Sequence, residues 1–265
     1  MTGLVTVAPD ELPSGRRLCE IRLAHAARSN ALCPALLDAL ADALAGAGRM
    51  EARFILLAAE GRNFSTGGDV ARFRDAVAEG RALAYADTVV GRLNEIILAL
   101  LGAPALVVAA AGGAITGGST GLVLAADMVV LGEDAFIQPW YREVGFAPDG
   151  GWTALLPEAI GAHRALSIQM RNARIEAPEA LGLGLADLVA PDDPRTAALA
   201  AIAEMDAAEP DALIAAKRLV WDEARRTCVA AWLAAERQAF CARIGLPETA
   251  RGMDRFLSRR RKRHA

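Results

Sequence analysis

The sequence predicts an α/β fold with an added helical region at its C-terminal end. Three observations carry this expectation. Short apolar or alternating runs read as strands, leucine- and alanine-rich segments of helical period lie between them, and beyond about Pro191 the strand signal disappears. Apolar residues form 54% of the 265, enough to bury a substantial core. Arg, Asp and Glu are scattered through most of the chain, as in a soluble globular protein.

The elements follow in order. RLCEIRL (17–23) alternates, with Cys19, Ile21 and Leu23 on one face of a strand. PALLDALADALAGAG repeats its leucines at helical spacing, with Pro34 in the first turn and glycine at its end. RFILLAA (53–59) is a short apolar run suited to a buried strand, and the segment from Arg81 to Leu101 is helical by period and composition. Gly102 to Pro104 end that helix before the strand ALVVAAA. GGAITGG reads as a loop, followed by a helix through Leu122 and Ala126 and the strand DMVVLG. Repetition of strand and helix argues for a core of buried strands rather than a bundle or a sandwich. The boundary falls near residues 191–200, giving a core of 1–195 and a helical region of 196–265, interrupted mainly at Glu209-Pro210. The apolar stripes of those last helices need a partner surface, supplied by the core, by another subunit, or by both.

Several function classes are disfavoured by composition. Cys19, Cys33, Cys228 and Cys241 are far apart and form no CxxC or Cys/His cluster, so buried unpaired thiols are expected rather than disulfides or zinc. His25, His163 and His264 are too few for a multi-histidine metal site, and no metal is expected. A formal charge of -3 argues against a general nucleic-acid binder. The basic run in SRRRKRHA is either a solvated tail or a contact for anionic groups such as ligand phosphates. No run nears the roughly 20 apolar residues of a membrane-spanning helix. The first residues, MTGLVTVAPDELPSGRR, lack the features of a signal peptide, so no membrane association and a cytoplasmic location are expected.

Two glycine clusters carry the chemistry. NFSTGGDV (63–70) joins a strand to a helix, and AGGAITGGSTGLVLAADMVV (111–130) runs into a helix start. The second cluster matches neither the GxGxxG fingerprint nor a Walker A loop. What remains is two small-residue turns whose free N–H groups could converge as an oxyanion hole. For TGGD alone, a plain turn is the competing reading.

In their order and spacing these stretches resemble the crotonase, or enoyl-CoA hydratase/isomerase, superfamily over most of the chain. RSNAL (28–32), FSTGGD, GGSTGLVLAAD, VGFAPDGG (144–151), LPEAIGAHRA, APEALGLGLADLV and RGMDRFLSRR follow in the family's sequence. The resemblance implies a ClpP-like spiral of repeated ββα units with a C-terminal helical region that covers the pocket and mediates oligomerisation. It further implies an acyl-CoA thioester substrate, no cofactor apart from the coenzyme A that enters with it, and a homotrimer or a dimer of trimers. By position, the N–H groups of Gly68 and Gly118 would hold the thioester oxygen. Thr66, through its backbone, Asp69 and Gly117 would line the substrate site, and Arg28 would approach the CoA phosphates or stand as an ordinary surface charge.

The acids separate the reactions. Hydratases of the family use two glutamates to hold and activate water; the matching positions here are Gly121 and Tyr141, the latter beside Trp140. Bringing Glu143 into the second site takes a register shift of two. Asp149, in APDGG, matches the aspartate of isomerising relatives, which need one base to move one proton. Its competing reading is a helix N-cap. Trp140, Tyr141, Phe146 and Trp152 are either core residues or an acyl-pocket lining. Glu133, Glu143 and Glu158 are alternative acids, Asp127 reads as structural, and His163 as a helix-start residue. The resulting expectation is double-bond isomerisation through a thioester enolate. The alternatives are hydration or thioester hydrolysis with other acids, and an acyl-CoA binder without catalysis.

Overall fold

The computed structural model describes residues 3–264, with side chains as far as residue 259. A six-stranded sheet organises the chain. Its strands are β1 (Val5–Glu11), β2 (Arg17–Leu23), β3 (Phe54–Ala59), β4 (Leu106–Ala111), β6 (Met128–Gly132) and β9 (Leu188–Ala190), in the order β1-β2-β3-β4-β6-β9. Only the β1–β2 pair is antiparallel. A smaller sheet, in the order β5-β7-β8, joins β5 (Ala114–Thr116), β7 (Phe136–Gln138) and β8 (Ile175–Glu176). Two of its strands lie where sequence showed no strand signal, and β5 lies within GGAITGG, which reads as a loop. These strands are two or three residues long, too short to display a period. The edge strand β1 likewise carries no clear strand pattern in sequence, because Pro9 at the sheet edge interrupts it.

The helices are α1 (Pro34–Arg49), α2 (Val70–Ala78), α3 (Ala82–Leu101), α4 (Thr120–Leu124), α5 (Tyr141–Val144), α6 (Leu156–Ile160), α7 (Ala162–Arg171), α8 (Ala177–Gly182), α9 (Pro194–Asp206), α10 (Pro210–Val220), α11 (Glu223–Ile244) and α12 (Pro247–His264). α4 stops two residues before Ala126, where the sequence reading extended it. Helix covers both faces of the large sheet, which is why β3 and β4 are apolar without alternation. On one face Cys19, Ile21, Leu23, Ile55, Leu57 and Val107 pack with leucines of α1 and α3. On the other, Leu18, Phe54, Leu56, Leu106 and Val108 meet Ala198 and Ile202 of α9 and Ile214 of α10. α11 packs along α3, and α12 lies against α2 and α5.

The cysteines are unpaired: Cys19 and Cys33 are buried as expected, whereas Cys228 is exposed and Cys241 half-buried. Among the described residues no group of three or more His, Cys, Asp and Glu is arranged for a metal, and no helix is long and apolar enough to cross a membrane. Of the basic run 259–263, only the Arg259 side chain lies within the described residues, and it bonds to Glu143 at 3.2 Å.

One partly buried ion pair pins the C-terminal helices to the sheet, its Lys217 side chain 3% and its Asp127 side chain 16% exposed. Lys217 of α10 directs its three ammonium protons at Leu100 O (2.9 Å), Ala105 O (3.0 Å) and Asp127 Oδ2 (2.7 Å). Asp127 also accepts from Val107 N at 2.7 Å, which makes it the structural residue that its place before β6 suggests. Burial raises the proton affinity of Asp127 and lowers that of Lys217, so each charge depends on the other. All three Lys217 protons are therefore engaged within the fold. Removing one partner of a fully buried pair costs about 3–5 kcal/mol. Because the Asp127 carboxylate left behind keeps contact with solvent, Lys217→Ala is expected to lower the unfolding free energy by no more than about 3 kcal/mol in urea titration.

Candidate active site

The two glycine turns are fastened to each other through their main chains. Ser65 N donates to Ala114 O at 3.0 Å, Thr116 N to Ser65 O at 3.1 Å, and Phe64 N to Gly112 O at 2.8 Å. Ser119 Oγ sits 3.1 Å from Ser65 O and 2.8 Å from Thr116 O, bridging the turns. Approach is close enough to require glycine: a Cβ on Gly67, whose φ is +72°, would lie 2.4 Å from Thr116 O. Behind the first turn, buried Asn30 donates from Nδ2 to Glu60 O and Asn63 O at 3.0 and 2.9 Å, and its carbonyl accepts from Ser65 Oγ at 2.7 Å. The asparagine of RSNAL thus sets the loop's shape. Trp152 Nε1 donates to Gly117 O at 2.8 Å from beneath the second turn. Among the described residues the N–H groups of Gly68 and Gly118 have no hydrogen-bond partner. Gly118 stands in the first turn of a 3-10 helix (Gly117–Ser119), where N–H groups lack intrahelical acceptors.

Asp149 lies beside the second turn and is 7% exposed. The Cβ position of Gly118 is 3.0 and 3.1 Å from its two carboxyl oxygens. Tyr141 OH lies 2.7 Å from Asp149 Oδ1 and 2.8 Å from Asp149 O. A phenol has one proton and can also accept. When Asp149 is ionised, Tyr141 can donate to the carboxylate; when Asp149 is protonated, the carboxyl can donate to the phenol oxygen while Tyr141 donates to the carbonyl. Both protonation states are thereby satisfied. Burial pushes Asp149 up to about 7, donation by Tyr141 holds it down, and the charge of Glu236 adds to the rise. Burial also raises Tyr141 well above the ordinary phenol range, so it remains a donor.

The N-cap reading of Asp149 is corrected. The N–H groups after it, at Gly151, Thr153 and Ala154, are taken by the Glu236 carboxylate of α11 at 2.8, 2.6 and 3.1 Å. Sequence reasoning passed over Glu236, although a signal was present. The buried residues of α11 are Val229, Leu233, Glu236, Phe240 and Ile244, so an acid occupies a place in the helix's apolar stripe.

A cleft of about 1160 Å³ collects all nine sequence-derived positions: Arg28, Thr66, Gly68, Asp69, Gly117, Gly118, Trp140, Tyr141 and Asp149. Their local bonds refine what each can offer. Asp69 caps α2 by accepting from Ala71 N and Arg72 N, and it holds Arg28 at 2.6 Å. Its carboxylate is therefore engaged, and Arg28 is neither free nor an isolated surface charge. Thr66 N donates to Ser29 O, leaving the carbonyl as the main-chain group for a ligand. Trp140, at φ +63°, is fixed by Asn172 Oδ1 (2.8 Å) and stacks edge-on with Phe256. Phe73, Phe146 and Phe240 pack together on the cleft wall, whereas Trp152 is fully buried and belongs to the support.

The other acids are elsewhere. A Cβ at Gly121 would lie 2.3 Å from Gly150 O and 2.6 Å from Ile97 Cδ1, so this backbone has no room for a carboxylate there. Glu143 pairs with Arg142 and Arg259, and Glu158 with Arg225. Neither they nor Glu133 line the cleft. His163 is the second residue of α7, away from the cleft as expected.

Residues 14–264 match the Enoyl-CoA hydratase/isomerase family. A probable enoyl-CoA hydratase of Rhodobacter capsulatus is 37% identical over 164 residues, covering 62% of this chain and 61% of that protein. A mitochondrial Delta(3,5)-Delta(2,4)-dienoyl-CoA isomerase of Homo sapiens is 31% identical over 63% of this chain and 54% of its own length. This chain thus spans less than two thirds of either relative. The crystal structure of an enoyl-CoA hydratase/isomerase from Mycobacterium paratuberculosis superposes with a TM-score of 0.85 at 25% identity, covering 96% of this chain and 99% of that one. Paired glycine turns, the order of motifs and the whole-chain match lead to one assignment: the protein belongs to the enoyl-CoA hydratase/isomerase family and has the crotonase fold.

Proposed function

We propose that the protein shifts the double bond of an unsaturated acyl-CoA, using Asp149 as its single base. The thioester oxygen accepts hydrogen bonds from Gly68 N–H and Gly118 N–H, which lowers the energy of the enolate formed when a C–H bond beside the carbonyl breaks. Asp149 takes that proton and returns it to a carbon further along the chain. No atom is gained or lost, and no metal or cofactor is required. The observation that carries the reading is the buried Asp149 carboxylate against Gly118, with a phenol partner suited to both of its protonation states. The match to a protein named as a dienoyl-CoA isomerase supports it. Trimeric or paired-trimer assembly is part of the proposal, supported by exposed Leu166 and Met170 on α7 and Trp232 on α11.

Hydration is the second reading, favoured by the name of the Rhodobacter relative. The absence of room at Gly121 weighs against its two-carboxylate form. A mass-spectrometric and ultraviolet screen of 2-enoyl, 3-enoyl and dienoyl CoA thioesters separates the reactions. Mass-neutral conversion is expected, reduced about 10²–10⁴-fold in Asp149→Asn with acyl-CoA binding retained. Gain of water, or turnover indifferent to the substitution, refutes the proposal; binding without any turnover identifies a non-catalytic acyl-CoA binder.

A pH profile tests the base directly. Asp149 abstracts a proton only when ionised, so kcat/KM should rise with pH through about 7. Tyr141→Phe removes the donor that favours the ionised form, and its inflection should move to higher pH. A shift to lower pH would contradict the arrangement.

A further inference from the structure

Glu236 is a buried carboxylate that the proposed chemistry does not use. It is 4% exposed and reaches from the middle of α11 into the turn after Asp149. Oε2 accepts from Gly151 N at 2.8 Å, while Oε1 accepts from Thr153 N at 2.6 Å, Thr153 Oγ1 at 2.7 Å and Ala154 N at 3.1 Å. Four donors converge on one side chain that contributes no donor of its own, which is the environment of an ionised carboxylate. Burial raises its proton affinity, and those four donors oppose the rise. The anchored turn has little freedom: at Gly150 (φ +63°) a Cβ would lie 2.3 Å from Gly118 O, so this turn is packed directly on the second glycine turn. Moving Gly151 therefore displaces Asp149 relative to Gly118.

We infer that Glu236 is a positioning residue for Asp149, holding its turn against the Gly118 turn by four hydrogen bonds and placing a fixed negative charge behind the carboxyl group. The inference rests on Asp149 being the base. It gives the C-terminal helical region a part in the chemistry as well as in cover.

Of the elements packed at Asp149, α5 presents Tyr141 and the glycine turn presents main chain, while Leu93 of α3 lies 2.8 Å from the same Gly118 Cβ position. Arg237, next to Glu236 in α11, is held at 2.7 Å by Asp87 and lies over Gly91. Among the described residues Glu236 is the charged side chain that acts on Asp149, raising its proton affinity. Like charges in a poorly solvated site favour the protonated form. Removing the charge should make Asp149 a weaker base that ionises at lower pH.

The test is Glu236→Gln. The amide keeps the shape, but its NH₂ group must face either Gly151 N–H or the Thr153 and Ala154 donors, so part of the anchor is lost along with the charge. The Asp149 carboxyl is followed by ¹³C NMR in Asp-labelled protein, with Asp149→Asn identifying its resonance. The expected result is a titration midpoint below that of wild type, an equal displacement of the kcat/KM inflection, and kcat reduced about tenfold or more with KM little changed. An unchanged midpoint in folded Glu236→Gln overturns the inference, even if Asp149→Asn abolishes turnover. Conversely, a displaced midpoint with turnover indifferent to Asp149→Asn upholds the coupling and removes the base. Should Glu236→Gln fail to fold, Glu236→Asp keeps the charge and shortens the reach. Its kcat should fall with the inflection kept near the wild-type pH, and undiminished kcat overturns the positioning role.

Discussion

The site depends on two turns, distant in sequence, meeting at main-chain distance. An oxyanion hole built from backbone N–H groups has no side chains to adjust, so aim is set wholly by how the turns are held. Parallel pairing of β3 with β4 brings both chain segments out at the same end of the sheet. The short bridge between Ser65 and Ile115 then continues that pairing into the turns themselves. Gly67 permits the approach, and Ser119 and Asn30 occupy the polar groups that the approach would otherwise leave buried without partners. The small second sheet, through β5, is part of the same device.

The electrostatics follow from this geometry. The glycine turns supply partial positive charge from fixed dipoles, and a lone carboxyl group stands beside one of them with little access to water. Burial raises the proton affinity of that carboxyl; the Tyr141 phenol and the Glu236 carboxylate act on it in opposite directions. Its proton affinity is consequently raised toward neutrality, which suits the take-and-return role proposed for it. The helices beyond residue 195 belong to this arrangement as much as the strands do. α11 brings Glu236 and Phe240, and α12 brings Phe256 and Leu257 to the cleft wall.

Where sequence period was long enough to measure, the fold was legible: β2, α1, β3, α3, β4 and β6 each stand within a residue or two of the expected positions, as does the all-helical stretch after β9. Strands of two or three residues carry no period, so β5, β7 and β8 could be found only through their pairing. The nine candidate residues share a cleft because their motifs mark the ends of strands and the starts of helices, features local enough to read from spacing. Partnerships were not legible. Nothing in APDGG indicates that the N–H groups of its last glycine and of Thr153 and Ala154 beyond it are taken by an acid 82 to 85 residues downstream, or that its aspartate faces a tyrosine. The one local trace of that long-range bond was an acid among the apolar positions of α11.

The central claim is that one buried aspartate carries a proton between two carbons of the same substrate. It is tested most directly with a 3-enoyl-CoA doubly deuterated at the carbon beside the carbonyl, converted in ordinary water and examined by mass spectrometry. Transfer through Asp149, shielded from solvent, predicts a 2-enoyl product in which a substantial fraction retains both deuterium atoms, one of them moved along the chain. A product population that has lost one deuterium throughout, or gained the mass of water, would contradict it.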